Sequence, residues 1–290
     1  MILIALSVIF SVTVSIILKL SNQYPDVSLK QAIAFNYITT IVLCYTLLMP
    51  SIPKDISSLS WPLFLSLGIL LPSIFIVMGY AIKNIGIIKT DVAQRLSLFI
   101  PVLVSFTIFD ETINSTKVIG IILAFLSIFL LLNGKNDTLD DKPRKCLMNF
   151  IYFFTIFMGF GIIDILFKQV GASGADFGLT LLLTFSLAAF ILFSIIFVKK
   201  ETIKYKNVFI GSLLGIFNFG NIYFYLRSHQ HYPDNPSLVF TVVNIGIIIL
   251  GTFFGKILFK EPLSFRNWLG IMLATVAIIF LFNGEKLVYF

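Results

Sequence analysis

Charge is scarce in this chain: 12% of its 290 residues are Asp, Glu, Lys or Arg, about half the share usual in a soluble globular protein. Apolar residues make up 58%, and the mean hydropathy is +0.99. No soluble fold of this size can hide that much apolar surface. A water-soluble enzyme, a disordered chain and a fibrous repeat are thereby excluded. Cysteine and histidine are almost missing, with two of each. Cys44 lies in an apolar run and Cys146 in a gap, so neither a disulfide framework nor a metal cluster is expected. His229 and His231 flank Gln230 with no acid or cysteine at ligand spacing, and read as a solvated loop. There is no Walker loop, and Gly171-Ala172-Ser173-Gly174 does not fit a nucleophile elbow. Pumping driven by ATP on this chain alone is disfavoured, and no cofactor is expected. The net charge of +7 comes from Lys and Arg in short gaps between apolar runs, as in membrane loops. Nucleic acid is not an expected partner; a lipid bilayer is.

What is abundant is uninterrupted apolar sequence. About 20 such residues cross a bilayer core as a helix. The predicted spans are 2–20, 32–50, 61–82, 91–109, 115–133, 148–168, 178–198, 207–227, 236–259 and 265–283. Continuous runs, as opposed to alternating ones, argue against a β-barrel. The first run has neither a basic leader nor a small-residue cleavage site and reads as an uncleaved span. Trp61 and Trp268 stand where spans begin, as interfacial anchors do. Pro72 and Pro101 fall inside spans, where each frees a backbone carbonyl. The expected class is all-α: a polytopic membrane protein of ten transmembrane helices.

The two halves of the chain resemble each other. Phe109-Asp110-Glu111-Thr112-Ile113-Asn114 precedes Val118-Ile119-Gly120-Ile121, and 150 positions on Phe259-Lys260-Glu261-Pro262-Leu263-Ser264 precedes Trp268-Leu269-Gly270-Ile271. The register continues through Leu123-Ala124 with Leu273-Ala274, and Asn133-Gly134 with Asn283-Gly284. Apolar matches come easily in membrane helices; Glu, Gly and Asn-Gly at one offset do not. The expected organisation is a first five-helix repeat over 1–134, a connecting loop over 135–147 and a second repeat over 148–290. Five spans per half is an odd number, so the second half enters the membrane from the opposite side. Inverted repeats of this kind recur in secondary transporters.

The same residues resemble the EamA-like branch of the drug/metabolite transporter superfamily. The first half gives Gly79-Tyr80-Ala81-Ile82-Lys83, then Pro101, Glu111 and Gly120. The second gives Tyr223-Phe224-Tyr225-Leu226, then Glu261-Pro262-Leu263 and Gly270, with Gly251 where Pro101 would recur. The first span lacks the glutamate of the related four-helix multidrug exporters. The resemblance implies ten spans in two repeats and a small-molecule substrate, an amino acid or another metabolite, or a drug.

Fifteen Lys and Arg lie in gaps after odd-numbered spans and five, Lys117 among them, after even-numbered ones. That bias predicts odd gaps in the cytoplasm and both termini outside.

Few side chains within the spans can carry chemistry. Asp164 is the most informative, since a carboxylate near the bilayer centre costs roughly 2.5–3.5 kcal/mol on insertion scales. It either faces a cavity and couples protons, or pairs with Lys168 one turn on. Asn218, Asn221 and Tyr225 fall at i, i+3, i+7 on one face, either a substrate wall or plain interhelical bonding. Asn36 and Asn244 are further cavity candidates, because lipid cannot satisfy an amide. Ser7, Ser11 and Ser15 share a face that serves packing or a polar cavity. Arg95 either meets an anionic group or snorkels. Glu111 and Glu261 read as structural acids at helix N-termini. The expectation is a secondary transporter of the plasma membrane working by alternating access. It would be coupled to protons or to a substrate gradient, with no catalytic residue, metal or obligatory partner chain. An intramembrane enzyme acting on lipid-linked substrates, or a non-transporting scaffold, is the alternative.

Overall fold

In lipid, a run of twenty apolar residues satisfies its backbone as a helix. The computed structural model is helical, with no strand among the described residues. Described are all positions except 22, 23, 25, 51–60, 86–89, 91, 92, 95, 133–142, 173–176, 260–264 and 288–290. Asp91, Arg95, Glu261 and Pro262 therefore lie outside the described residues. The helices are α1 Ile2–Ser21, α2 Leu29–Leu43, α3 Trp61–Ile85, α4 Phe99–Thr107 and α5 Ser115–Leu132. They continue with α6 Pro143–Ala172, α7 Phe177–Val198, α8 Tyr205–His231, α9 Pro236–Phe259 and α10 Phe265–Leu287. Six are long and apolar enough to cross a membrane: α2 with its extension, α3, α6, α7, α8 and α9. Shorter apolar stretches cover Ile2–Leu18, Ser115–Ser127 and Trp268–Leu281.

Helix ends differ from the apolar runs where polar residues extend the helix. Helix α8 continues to His231, one turn past the predicted end. This corrects the loop assignment of His229, which is helical and 3% exposed, whereas His231 is exposed. Helix α2 starts at Leu29 and ends in a π-wound turn, Cys44–Leu48, closed by Met49 at φ 44°. Pro101 acts as the sequence suggests. It has no N–H for the Ser97 carbonyl, the chain turns at Ser97-Leu98, and that carbonyl accepts from Ile100 N–H instead, at 3.0 Å.

Two compact units are present, and each draws helices from both halves of the sequence. The first comprises Met1–Tyr80 and Ile163–His231. Helix α8 is its spine, with α1 and α2 laid along it and α7 on the far side of α2. Gly211 and Gly215 allow the α2 approach. A methyl on Gly211 would stand 2.5 Å from the Ala32 carbonyl oxygen, and one on Gly215 2.8 Å from that of Asn36. Small residues four apart at a helix contact are the usual device for close packing in membranes. Phe10 of α1 rests against Phe217 and Phe224 of α8. Phe35 and Tyr37 of α2 meet Phe193 and Phe185 of α7.

The second unit comprises Ala81–Ile162 and Tyr232–Phe290. Helices α5 and α10 pack on each other, and α9 on α4, α5 and α10. Ala124, Ile245, Ala274 and Ala277, all fully buried, form its core. A methyl on Gly120 would meet the Leu281 side chain at 2.9 Å. Positions 150 apart share this seam: Gly120 and Gly270, Ala124 and Ala274, Ser127 and Ala277 are all buried.

Glu111, on the loop between α4 and α5, is buried, and its carboxylate accepts from the Ser237 N–H at 2.9 Å and from the Ser237 hydroxyl. Its acid does sit at a helix N-terminus, but that of α9, 126 residues on. Its own following helix, α5, is capped by Asn114, whose side-chain oxygen accepts from Lys117 N–H at 2.8 Å. Lys117 is 6% exposed and pairs with Glu111 at 3.2 Å. It is therefore a buried ion-pair partner and not one of the solvated gap cations.

Candidate functional site

The polar face of α8 finds a partner on each of three helices. Asn218 donates from Nδ2 to Asn36 Oδ1 on α2 at 3.2 Å. Asn221 accepts at Oδ1 from the Ser7 hydroxyl on α1 at 2.9 Å. Tyr225 donates its hydroxyl to Asp164 Oδ1 on α6 at 3.3 Å. The i, i+3, i+7 spacing places these three along about 10 Å of helix at 1.5 Å per residue. The reason is local: an amide or hydroxyl in an apolar helix must be satisfied from within the protein. Asn36 and Tyr225 are buried, while Asp164, Asn218 and Asn221 remain half-exposed. Five of the six candidate residues thus lie in one seam of the first unit.

Asn244 is not among them. It sits on α9 in the second unit, where its amide donates to the Phe240 carbonyl of its own helix at 3.0 Å. Of the serine face on α1, Ser7 bonds across to α8, whereas Ser15 bonds back to the Ser11 carbonyl. Around Tyr225 the neighbours are aromatic. Phe167 meets its ring at 6.4 Å and His229 at 4.8 Å, both edge-on. Arg227 lies over Phe177 and Tyr223, at 5.3 and 5.4 Å, and donates to Gln230. Among the described residues, no group of three His, Cys, Asp or Glu is placed to hold a metal ion.

A second polar cluster escaped the sequence reading. At the start of α2, Gln31 accepts from Asn207 Nδ2 at 2.7 Å and donates to the Thr202 carbonyl at 3.0 Å. Asn207 in turn accepts from Ser28 N–H at 3.1 Å. Lys30 pairs with Glu201, and Lys204 with Asp26 at 3.8 Å. Gln31 and Asn207 are buried, which ties α2 to the loop before α8. Both stood at or just outside the predicted span ends, so their signal was the polarity that made the apolar run stop. Asn207→Ala should lower stability by about 2 kcal/mol, since it orphans the Ser28 amide and strips Gln31 of a partner. Gln31→Ala in that background should cost much less than alone, a coupling readable from melting temperatures of purified protein.

Residues 1–133 match the model of the EamA-like transporter family. Over 289 residues the chain is 43% identical to an uncharacterized protein of Haemophilus influenzae, a match covering 97% of this chain and 98% of that one. A protein of known crystal structure resembles it in fold, with a TM-score of 0.76 at 11% identity over 99% of this chain and 97% of the other.

Proposed function

The chain belongs to the EamA-like transporter family, and from that premise we propose that it is a secondary transporter carrying a small metabolite, such as an amino acid, or a drug across the plasma membrane. It is an integral membrane protein of transporter type. In this reading ten helices cross the bilayer as two inverted five-helix repeats, 1–134 and 148–290. They expose a site between the repeats to each side in turn. Asn36, Asn218, Asn221, Tyr225 and Asn244 contact substrate, and Asp164 handles the coupling proton.

The observation that carries the reading is the seam on α8. Three hydrogen bonds reach three different helices from one face, within span depth, and each uses groups that a polar solute can engage in place of the partner helix. Two further features support the threading. Helices α5 and α10 pack through residues 150 apart, as repeat mates related by a dyad would. The loop contacts also join ends of matching parity. The first turn of α2 meets the gap after α7 through Lys30 and Glu201, and the gap after α4 meets the start of α9 through Glu111.

The test is a metabolite screen by thermal shift on purified protein, followed by counterflow in proteoliposomes. A ligand at a hundred times its Kd adds about 2.7 kcal/mol of apparent stability. Asn218→Ala should weaken the shift at least tenfold in ligand concentration. Its own stability should fall by only about 1 kcal/mol, the worth of one hydrogen bond. Transport is excluded as the function if no solute exchanges across liposomes bearing folded protein.

A further inference from the structure

Four ionisable side chains meet where α6 and α8 end together. Asp164 and Lys168 stand one turn apart on α6, and Tyr225 and His229 one turn apart on α8, so each pair shares a helix face. Tyr225 donates to Asp164. The His229 ring stacks edge-on against the Tyr225 ring and is 3% exposed, and the Lys168 ammonium lies within electrostatic reach of it. Gly171 brings the two helix ends together. A methyl there would sit 3.2 Å from the Leu226 carbonyl and 3.3 Å from the His229 Cβ. Asp164 is eight residues from the end of α6, about 12 Å along the axis. Helix α1 lies antiparallel to α8, with Ser7 at Asn221 and Phe10 at Phe217, and so carries the Met1 ammonium toward this same end. Arg227 lies over Phe177 and Tyr223, Lys30 and Lys206 are at the far ends of α2 and α8, and α7 carries no ionisable residue.

We propose that Asp164, Lys168, Tyr225 and His229 form a proton-binding site, loaded from the side of the membrane where α6 and α8 end. This deepens the transporter reading and rests on it. The chemistry follows from the charges. Tyr225 is the donor, Lys168 the neighbouring basic group one turn on, and the Asp164 carboxylate the group that accepts a proton. One proton taken up from solvent converts the Asp164 carboxylate to the neutral acid, and the net charge of the set rises by one. Protonation of Asp164 removes the charge that strengthens its bond to Tyr225. The contact between the α6 and α8 ends is thereby loosened, and proton uptake acts on the helix seam that carries Asn218 and Asn221. Tyr225 thus belongs to the coupling machinery before it belongs to the substrate wall.

The experiment uses the full chain in liposomes loaded with deproteinised cell extract and the pH dye pyranine, with acidic buffer outside. Solute exchange is followed by mass spectrometry and proton flux by the dye. Wild type should show extract-dependent lumenal acidification. Asp164→Asn should lose at least tenfold of it, with its size-exclusion profile and melting temperature reporting that the variant folds. Asp164→Glu should restore part of the flux. Equal proton flux in wild type and Asp164→Asn would overturn the site. Exchange of solutes without proton flux in wild type would overturn it and leave the transporter reading standing. Absence of both would overturn the two together.

Discussion

Gly211→Leu should leave little folded protein. Helix α2 lies so close to α8 that even a methyl at this position stands 2.5 Å from the Ala32 carbonyl oxygen and 2.6 Å from Phe35 Cβ. The first of these is backbone and cannot rotate away, so α2 as a whole must move. Overpacking a tight site costs typically 1–3 kcal/mol, and a leucine against backbone belongs at or above the top of that range, about 3 kcal/mol or more. The same displacement would part Asn218 from Asn36 and Asn207 from Gln31, since both bonds cross this contact. Gly251 supplies the control. It is exposed, and nothing stands within 4 Å of where its side chain would begin, so Gly251→Leu should change the melting temperature by no more than a degree or two. Size-exclusion profiles and melting curves of the two purified variants decide the matter. Equal behaviour of both would mean that α2 and α8 are not packed as described.

Glu111→Ala should cost about 3–5 kcal/mol, the range for removing one partner of a buried ion pair. Two losses combine. Lys117, 6% exposed, loses its ion-pair partner, and the Ser237 amide at the start of α9 loses its acceptor. Pro236 before it has no N–H, so the Ser237 amide is the first orphan donor of that helix. Adding Lys117→Met should recover a large part of the loss, because no buried charge is then left alone. The remainder, about 1–2 kcal/mol, is the missing cap on α9. The double-mutant cycle separates the two effects. Strictly additive losses would show that the ion pair is not coupled in the folded protein.

Sequence reading located the helices well, because in lipid a long apolar run is nearly synonymous with a helix. It located partners poorly. Glu111 was recognised as an acid that belongs at a helix N-terminus, and so it is, yet the nearest helix in sequence was the wrong one. Local spacing cannot distinguish α5 from α9. His229 was taken for loop because polarity at the end of an apolar run looks the same whether the helix stops or merely leaves the hydrocarbon. Asn218, Asn221 and Tyr225 were correctly put on one face by their period. That the face meets α1, α2 and α6 was not legible, since apolar stripes on membrane helices serve lipid and protein alike. Gly211 and Gly215 were local marks of a close neighbour, and they were passed over. The tie between Gln31 and Asn207 spans 176 residues and leaves no periodic trace.

The arrangement of α1 and α2 against α8 also sets a timetable. Their chief neighbour is made some 170–200 residues after them, so at 5–20 residues per second both helices wait roughly ten to forty seconds in the nascent chain. Throughout that interval Ser7 and Asn36 have no α8 to bond, and Gly211 and Gly215 have not yet been made. Biogenesis must therefore shelter the early helices, at the insertion machinery or against one another, and a ribosome stalled between α6 and α8 would release a product whose amides still lack their receiving helix.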